Sequence, residues 1–238
     1  MRVEIEVRLL ELTKHGRRLT IVELSDALHV DRHNIEGKVQ ALSEQGYLTT
    51  AGDTIEANAA QRLMLAERLI QTGCDPNHVA RHLKWQEFED FAADSLKQNG
   101  FRTVKHFVFK TRNGRREIDL LAWNDNFVLA IDCKHWRRGL SASSARNAAV
   151  AQIERVVALC GRPDIIMRRG FGKPAGRKIL PVIVSLCDPR ESIVEGVPVV
   201  AVRKLVSFLY GISPVDNTLR MIPVEAQSEQ MSLLHAHM

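Results

Sequence analysis

Residues 127–134, FVLAIDCK, read as a buried strand that ends in two charges. Strand side chains alternate, so Phe127, Leu129, Ile131 and Cys133 share one face and Val128, Ala130, Asp132 and Lys134 the other. Asp132 and Lys134 therefore project together from an otherwise apolar segment. Charges rarely sit in such a strand unless they are paired or bind a metal. The stretch before it, REIDLLAW (116–123), alternates in the same way. Ile118, Leu120 and Ala122 fall on one face, Glu117, Asp119, Leu121 and Trp123 on the other. A third run, FRTVKHFVFK (101–110), precedes both, and Arg112-Asn113-Gly114 and Asn124-Asp125-Asn126 supply the turns.

Outward from these three strands the pattern changes to helical spacing. WQEFEDFAADSLKQNG (85–100) carries an apolar stripe of Trp85, Phe88, Ala92 and Leu96. Glu87, Asp90 and Asp94 point away from the stripe, while Glu89 lies on its edge and is the acid aimed at the sheet. On the other side a helix capped by Ser143 or Ser144 runs to Cys160. Its inward stripe of Ala145, Ala149, Ile153 and Val156 includes Gln152, either beside a site or as a buried amide bonded to backbone. The strands ILPVIVSLC and GVPVVAV and a closing helix, KLVSFLYG, follow. The order is αβββαβ, an α/β core with a mixed sheet between helices.

Residues 1–58 predict three helices and a hairpin. Val3, Val7 and Leu10 mark the inner face of the first helix, Ile21, Leu24 and Leu28 that of a second capped by Thr20, and Ile35, Val39 and Leu42 that of a third capped by Asp31. YLTT-AGD-TIEA supplies two short strands. Three helices and a two-stranded wing resemble a winged helix, with residues 31–46 in the place of the recognition helix. Residues 59–83 form a helical connector without a Gly/Ser linker, 84–213 the α/β domain, and 214–238 a polar tail.

The 238 residues carry a net charge of +5, unevenly spread. Residues 81–179 hold 20 basic and 10 acidic side chains, whereas residues 1–60 hold 7 and 10. A basic segment of that size suits a polyanion such as nucleic acid, and the acidic N-terminal module suits DNA contact or, instead, dimerisation or plain scaffolding. No apolar run approaches a membrane span, so no membrane partner is expected. Four scattered cysteines form no CxxC, which argues against a disulfide framework or a zinc knuckle and for a reducing, cytoplasmic setting. His78 and His82 are spaced i,i+4 but lack the glutamate of HExxH and a third ligand.

Three acids and a lysine on facing surfaces match metal-assisted phosphodiester chemistry, since hard oxygen ligands suit Mg²⁺. At this point the central domain resembles the PD-(D/E)XK nuclease superfamily, nearest to archaeal Holliday-junction resolvases and Mrr-type restriction endonucleases. The matching pieces are FED with Glu89, EID with Asp119 and IDCK with Asp132 and Lys134. The resemblance implies a restriction-endonuclease-like fold and an endodeoxyribonuclease that uses Mg²⁺, with Mn²⁺ as a substitute, acting on DNA as a homodimer in repair, recombination or restriction. It assigns the catalytic positions to Glu89, Asp119, Asp132 and Lys134. It places the metal on Asp119, Asp132 and the backbone carbonyl of Cys133.

A DxK or ExK string is expected roughly once by chance in a chain of this composition, so the order and orientation of the acids carry the match. Ile118 stands where the motif has proline, and Asp132 where glutamate is more frequent. Glu117 shares the face of Asp119 and, like Gln152, is a candidate for a supporting role. Arg137 and Arg138 follow the motif as phosphate contacts, next to His135 and Trp136. The basic, Gly-rich run 168–178 adds Arg168, Arg169 and Lys173 as candidate DNA-backbone contacts. The alternative is a non-catalytic nucleic-acid-binding or regulatory protein on the same fold.

Overall fold

The computed structural model describes residues 2–111, 114–134, 141–168, 176–213 and 215–224. The chain begins with α1 (Arg2–Leu12), β1 (Leu19–Thr20), α2 (Ile21–Leu28), α3 (Arg32–Glu44), β2 (Thr49–Ala51) and β3 (Thr54–Glu56). Thr20 and Glu23 form a reciprocal capping box at α2, and Asp31 caps α3 by accepting from the His33 N–H at 2.9 Å. The strands make an antiparallel sheet of order β1-β3-β2. The pairing of Leu19 with Ile55 adds a strand beyond the expected hairpin. Helix α1 turns inward on Ile5, Leu9 and Leu10, with Val7 and Leu12 partly buried against the same core, so the expected face holds at Val7 and Leu10 and widens to Ile5 and Leu9. It is gripped between α2 and the following helix α4 (Ala59–Gln71), so its buried side is set by two neighbours rather than one stripe.

After α4 and α5 (Pro76–Ala80) comes the α/β unit: α6 (Trp85–Gln98), β4 (Arg102–Thr111), β5 (Gly114–Trp123), β6 (Val128–Lys134), α7 (Ala142–Cys160), α8 (Pro163–Arg168), β7 (Lys178–Ser185), β8 (Ile193–Val194), β9 (Val197–Ala201), α9 (Leu205–Gly211) and β10 (Ile222–Pro223). Helix α7 is capped at Ser141, whose hydroxyl accepts from the Ser144 N–H at 3.1 Å, rather than at Ser143 or Ser144. The large sheet has the order β4-β5-β6-β7-β9-β8, with β10 added to the start of β7. Strands β4, β5 and β6 run antiparallel, and β6, β7 and β9 run parallel. The mixed sheet with helices on both faces is the α/β class that the sequence predicts. Asn124 accepts from the N–H groups of Asn126 and Phe127, closing the β5–β6 turn. Arg112 and Asn113 of the first turn lie outside the described residues.

Two cores sandwich the sheet. Leu129, Ile131 and Cys133 pack with Phe88, Ala92 and Leu96 of α6. Val128 and Ala130 pack with Val156 and Leu159 of α7. The first core continues without a break through Leu63 and Leu69 of α4 to Ile5, Leu9 and Leu24 near the N-terminus. At the seam lies Arg62, only 1% exposed. It donates to Glu87 Oε1 of α6 at 2.7 Å, to the Leu10 carbonyl at 2.6 Å and to Thr13 Oγ1 at 2.7 Å. It also donates to the His82 carbonyl. A buried guanidinium is tolerable only when satisfied in this way.

Candidate active site

The face alternation expected for β5 fails at one point. Leu120 and Ala122 face α6, but Ile118 joins Leu121 and Trp123 on the α7 side. The hairpin register sets Lys105 opposite Leu120 and Phe107 opposite Ile118, which leaves His106 opposite Asp119. His106 holds a left-handed backbone with φ +50°, uncommon for a non-glycine residue in a strand. Ladder pairing of β5 with β6 stops at Leu120–Ile131, so the strands part beside Asp119. In place of a ladder bond, Asp119 Oδ2 accepts from the Cys133 N–H at 2.8 Å.

Asp132 is buried and faces α7 as its alternation requires. Its Oδ1 accepts from Arg155 Nη1 at 2.6 Å and from Lys134 Nζ at 3.2 Å. Lys134 Nζ also stands 2.9 Å from Oδ2, yet among the described residues no donor is aligned with that buried oxygen. Gln152 is fully buried, its Nε2 donating to the Ala130 carbonyl at 2.8 Å and its Oε1 accepting from Arg155 at 2.7 Å. The amide thus bonds to backbone and also touches a partner of Asp132.

On the α6 side, Glu89 is buried. Its carboxylate accepts from the Trp85 indole N–H, and Oε2 lies 3.3 Å from His106 Nε2. The other ring nitrogen of His106 is 3.2 Å from the exposed Glu117. Glu117 is thus linked to Glu89 through one imidazole.

The electrostatics tie these groups together. Burial, and next the charge of Asp132, push the Asp119 carboxyl up, and they outweigh the Cys133 N–H, Lys134 and Arg155, which pull it down. Burial also raises Glu89, opposed chiefly by His106 and Trp85 and reinforced by Asp119. Asp119 therefore feels both other acids. The Cys133 thiol sits in the α6 core and burial pushes it far up, so it is an inert side chain and its place in the site is through the backbone.

Among the described residues no three His, Cys, Asp or Glu side chains are gathered as a ready-made metal cage. The donor chemistry nevertheless fits a hard cation: two carboxylates in mutual repulsion, one with a buried oxygen that no donor among the described residues satisfies. Arg155 and His106 are the site residues that the sequence reading missed. A turn centred on Arg112 and Asn113 pairs position 106 with 119, and Arg155 falls one helical turn after Gln152. Arg137, Arg138, Arg169 and Lys173, with His135 and Trp136, lie outside the described residues. Arg168 closes α8, and its side chain is also outside them.

Comparison with known proteins gives three findings. The family described as restriction endonuclease, Mrr catalytic domain, matches residues 80–178. An uncharacterized protein of Archaeoglobus fulgidus is 32% identical over 128 residues, which cover 53% of this chain and 90% of that protein. A crystal structure of a protein of unknown function aligns at 17% identity with a TM-score of 0.33, covering 63% of this chain and 77% of the other.

Proposed function

Because the chain belongs, through residues 80–178, to the Mrr-type restriction endonuclease family of the PD-(D/E)XK superfamily, we propose that it is a Mg²⁺-dependent DNA endonuclease. The observation that carries this reading is the cluster of Asp119, Asp132 and Lys134 where β5 and β6 part. Asp119 and Asp132 would hold the ion, with the Cys133 carbonyl as a third oxygen. Bound there, Mg²⁺ would acidify the attacking water and neutralise charge on the phosphate. Lys134, 30% exposed and anchored on Asp132, holds a phosphate oxygen or that water from its free N–H groups. Glu89 stands behind Asp119, and His106 with Trp85 fixes its carboxylate.

The first 58 residues serve in this reading as a winged helix that orients DNA or docks a protein. Arg137, Arg138, Arg168, Arg169 and Lys173 supply sequence-independent affinity for the backbone, and Mn²⁺ substitutes for Mg²⁺. Homodimers would place one site on each strand.

One observation favours the alternative, a non-catalytic DNA-binding protein: Asp132 is already neutralised by two cations. The deciding experiment incubates the purified full chain with duplex, single-stranded, flap and four-way DNA in Mg²⁺ or Mn²⁺. Cleavage that vanishes in Asp132→Asn supports the nuclease. Salt-sensitive binding of any of these DNAs without cleavage supports the alternative.

A further inference from the structure

Arg155 lies outside every motif discussed above, and its geometry is unusual for a structural counter-ion. Both of its hydrogen bonds, to Asp132 Oδ1 and Gln152 Oε1, leave from the single nitrogen Nη1. Gln152 is itself pinned to the Ala130 carbonyl, so this corner of the guanidinium is fixed by β6 and α7 together. Among the described residues Nε and Nη2 donate to nothing, and the side chain is 21% exposed. Two N–H donors on the Nε–Nη2 edge, and the second N–H of Nη2 beside it, are thus left over at a solvent-reachable position. One cation suffices to pair Asp132, and Lys134 already stands 2.9 Å from it. The free fork calls for an anion, and a planar N–H fork fits two oxygens of a phosphate.

We propose that Arg155 is a catalytic residue of this endonuclease, whose Nε–Nη2 edge binds non-bridging oxygens of the scissile phosphate while Nη1 stays on Asp132 and Gln152. The proposal rests on the endonuclease reading above. In the reaction, a water oxygen bonds to phosphorus and the bond from phosphorus to the leaving sugar oxygen breaks. The water gives up a proton to solvent and the leaving oxygen takes one from solvent. Negative charge grows on the non-bridging oxygens in between, and the pre-oriented fork stabilises it there. The anchoring through Gln152 gives that glutamine a positioning role.

The test uses the full-length protein, a DNA that the wild type cleaves with Mg²⁺, and the variants Arg155→Gln, Arg155→Lys and Asp132→Asn. Arg155→Gln should lower kcat by about 10²-fold or more, the usual cost of losing one charge-stabilising donor. Its Mn²⁺ affinity, measured by calorimetry without DNA, should be kept or raised, because Asp132 has lost a competing cation. Arg155→Lys keeps the charge and loses the fork, so it should stay well below wild type. It serves as the readable variant if Arg155→Gln does not fold. Arg155 variants that cut like wild type, or that lose cleavage in step with Mn²⁺ binding, overturn the proposal; the second result would make Arg155 a support for Asp132 alone. If wild type cuts nothing, the endonuclease reading fails and this falls with it. If wild type cuts, Asp132→Asn does not, and Arg155→Gln cuts normally, the role of Arg155 alone is wrong.

Discussion

His106 Nε2 lies 3.3 Å from Glu89 Oε2, and it reaches that buried carboxylate from a backbone with φ +50°. A left-handed non-glycine residue inside a strand costs on the order of 1–3 kcal/mol, so surrounding interactions must hold it. Replacement by a β-branched residue keeps that cost and adds crowding at the same φ. His106→Val should therefore lower Tm more than His106→Gly, which relieves the backbone while losing the same imidazole. Thermal melts of the two variants decide the point, and equal losses would show that the backbone carries no strain.

Asp132→Asn preserves shape and can still accept from Arg155 Nη1, so the fold should survive. Removing the charge should abolish Mg²⁺-dependent cleavage while DNA affinity in Ca²⁺ stays within about tenfold of wild type. Gel-shift and cleavage assays on one substrate separate the two effects. Cleavage at the wild-type rate would make the acid structural.

Burial pushes the Glu67 carboxyl up to about 7, with the Arg203 guanidinium pulling the other way, and its Oε1 has no hydrogen-bond partner among the described residues. The folded protein then holds this proton more tightly than the unfolded chain. The stability it contributes is fully present below the ordinary value of 4.5 and is lost as pH rises through 7. Glu67→Gln mimics the protonated form. Its Tm should match wild type near pH 4.5 and exceed it at pH 8 by a few degrees, on the order of 2–4 °C for each kcal/mol recovered. A pH-independent Tm difference would contradict the assignment.

Arg62 serves four acceptors: the Leu10 carbonyl of α1, Thr13 just after that helix, the His82 carbonyl between α5 and α6, and Glu87 of α6. Arg62→Met should destabilise the protein by about 3–5 kcal/mol, chiefly by leaving Glu87 buried and unpaired. The double variant Arg62→Met/Glu87→Gln should recover part of that loss. Chemical denaturation of both variants measures it, and a near-neutral single variant would show the pair to be dispensable.

The strand faces of FVLAIDCK and the apolar stripe of α6 could be read locally because each depends on one element's own period, whereas Glu87, expected to point away, is buried on Arg62 of α4. Asp132, Lys134 and Glu89 were legible for that reason. The face of Ile118 was not, because it depends on where β5 leaves β6 and on His106 across the hairpin. Arg155 was hidden because its partners come from β6 and α7, far apart in sequence. Ser141 as the cap of α7, one turn upstream of Ser144, was missed because three nearby serines offer equivalent hydroxyls.

The unbroken core from Ile5 to Val184 has a mechanical consequence. A linker of loose chain would let the first helices swivel while the acids stayed still. Here the route from α3 to Glu89 passes through packed side chains and the Arg62 knot, so the N-terminal unit cannot turn without dragging α6. The first helices themselves are held at a set offset and angle from Asp119, in the manner of a caliper whose jaws are cast in one piece.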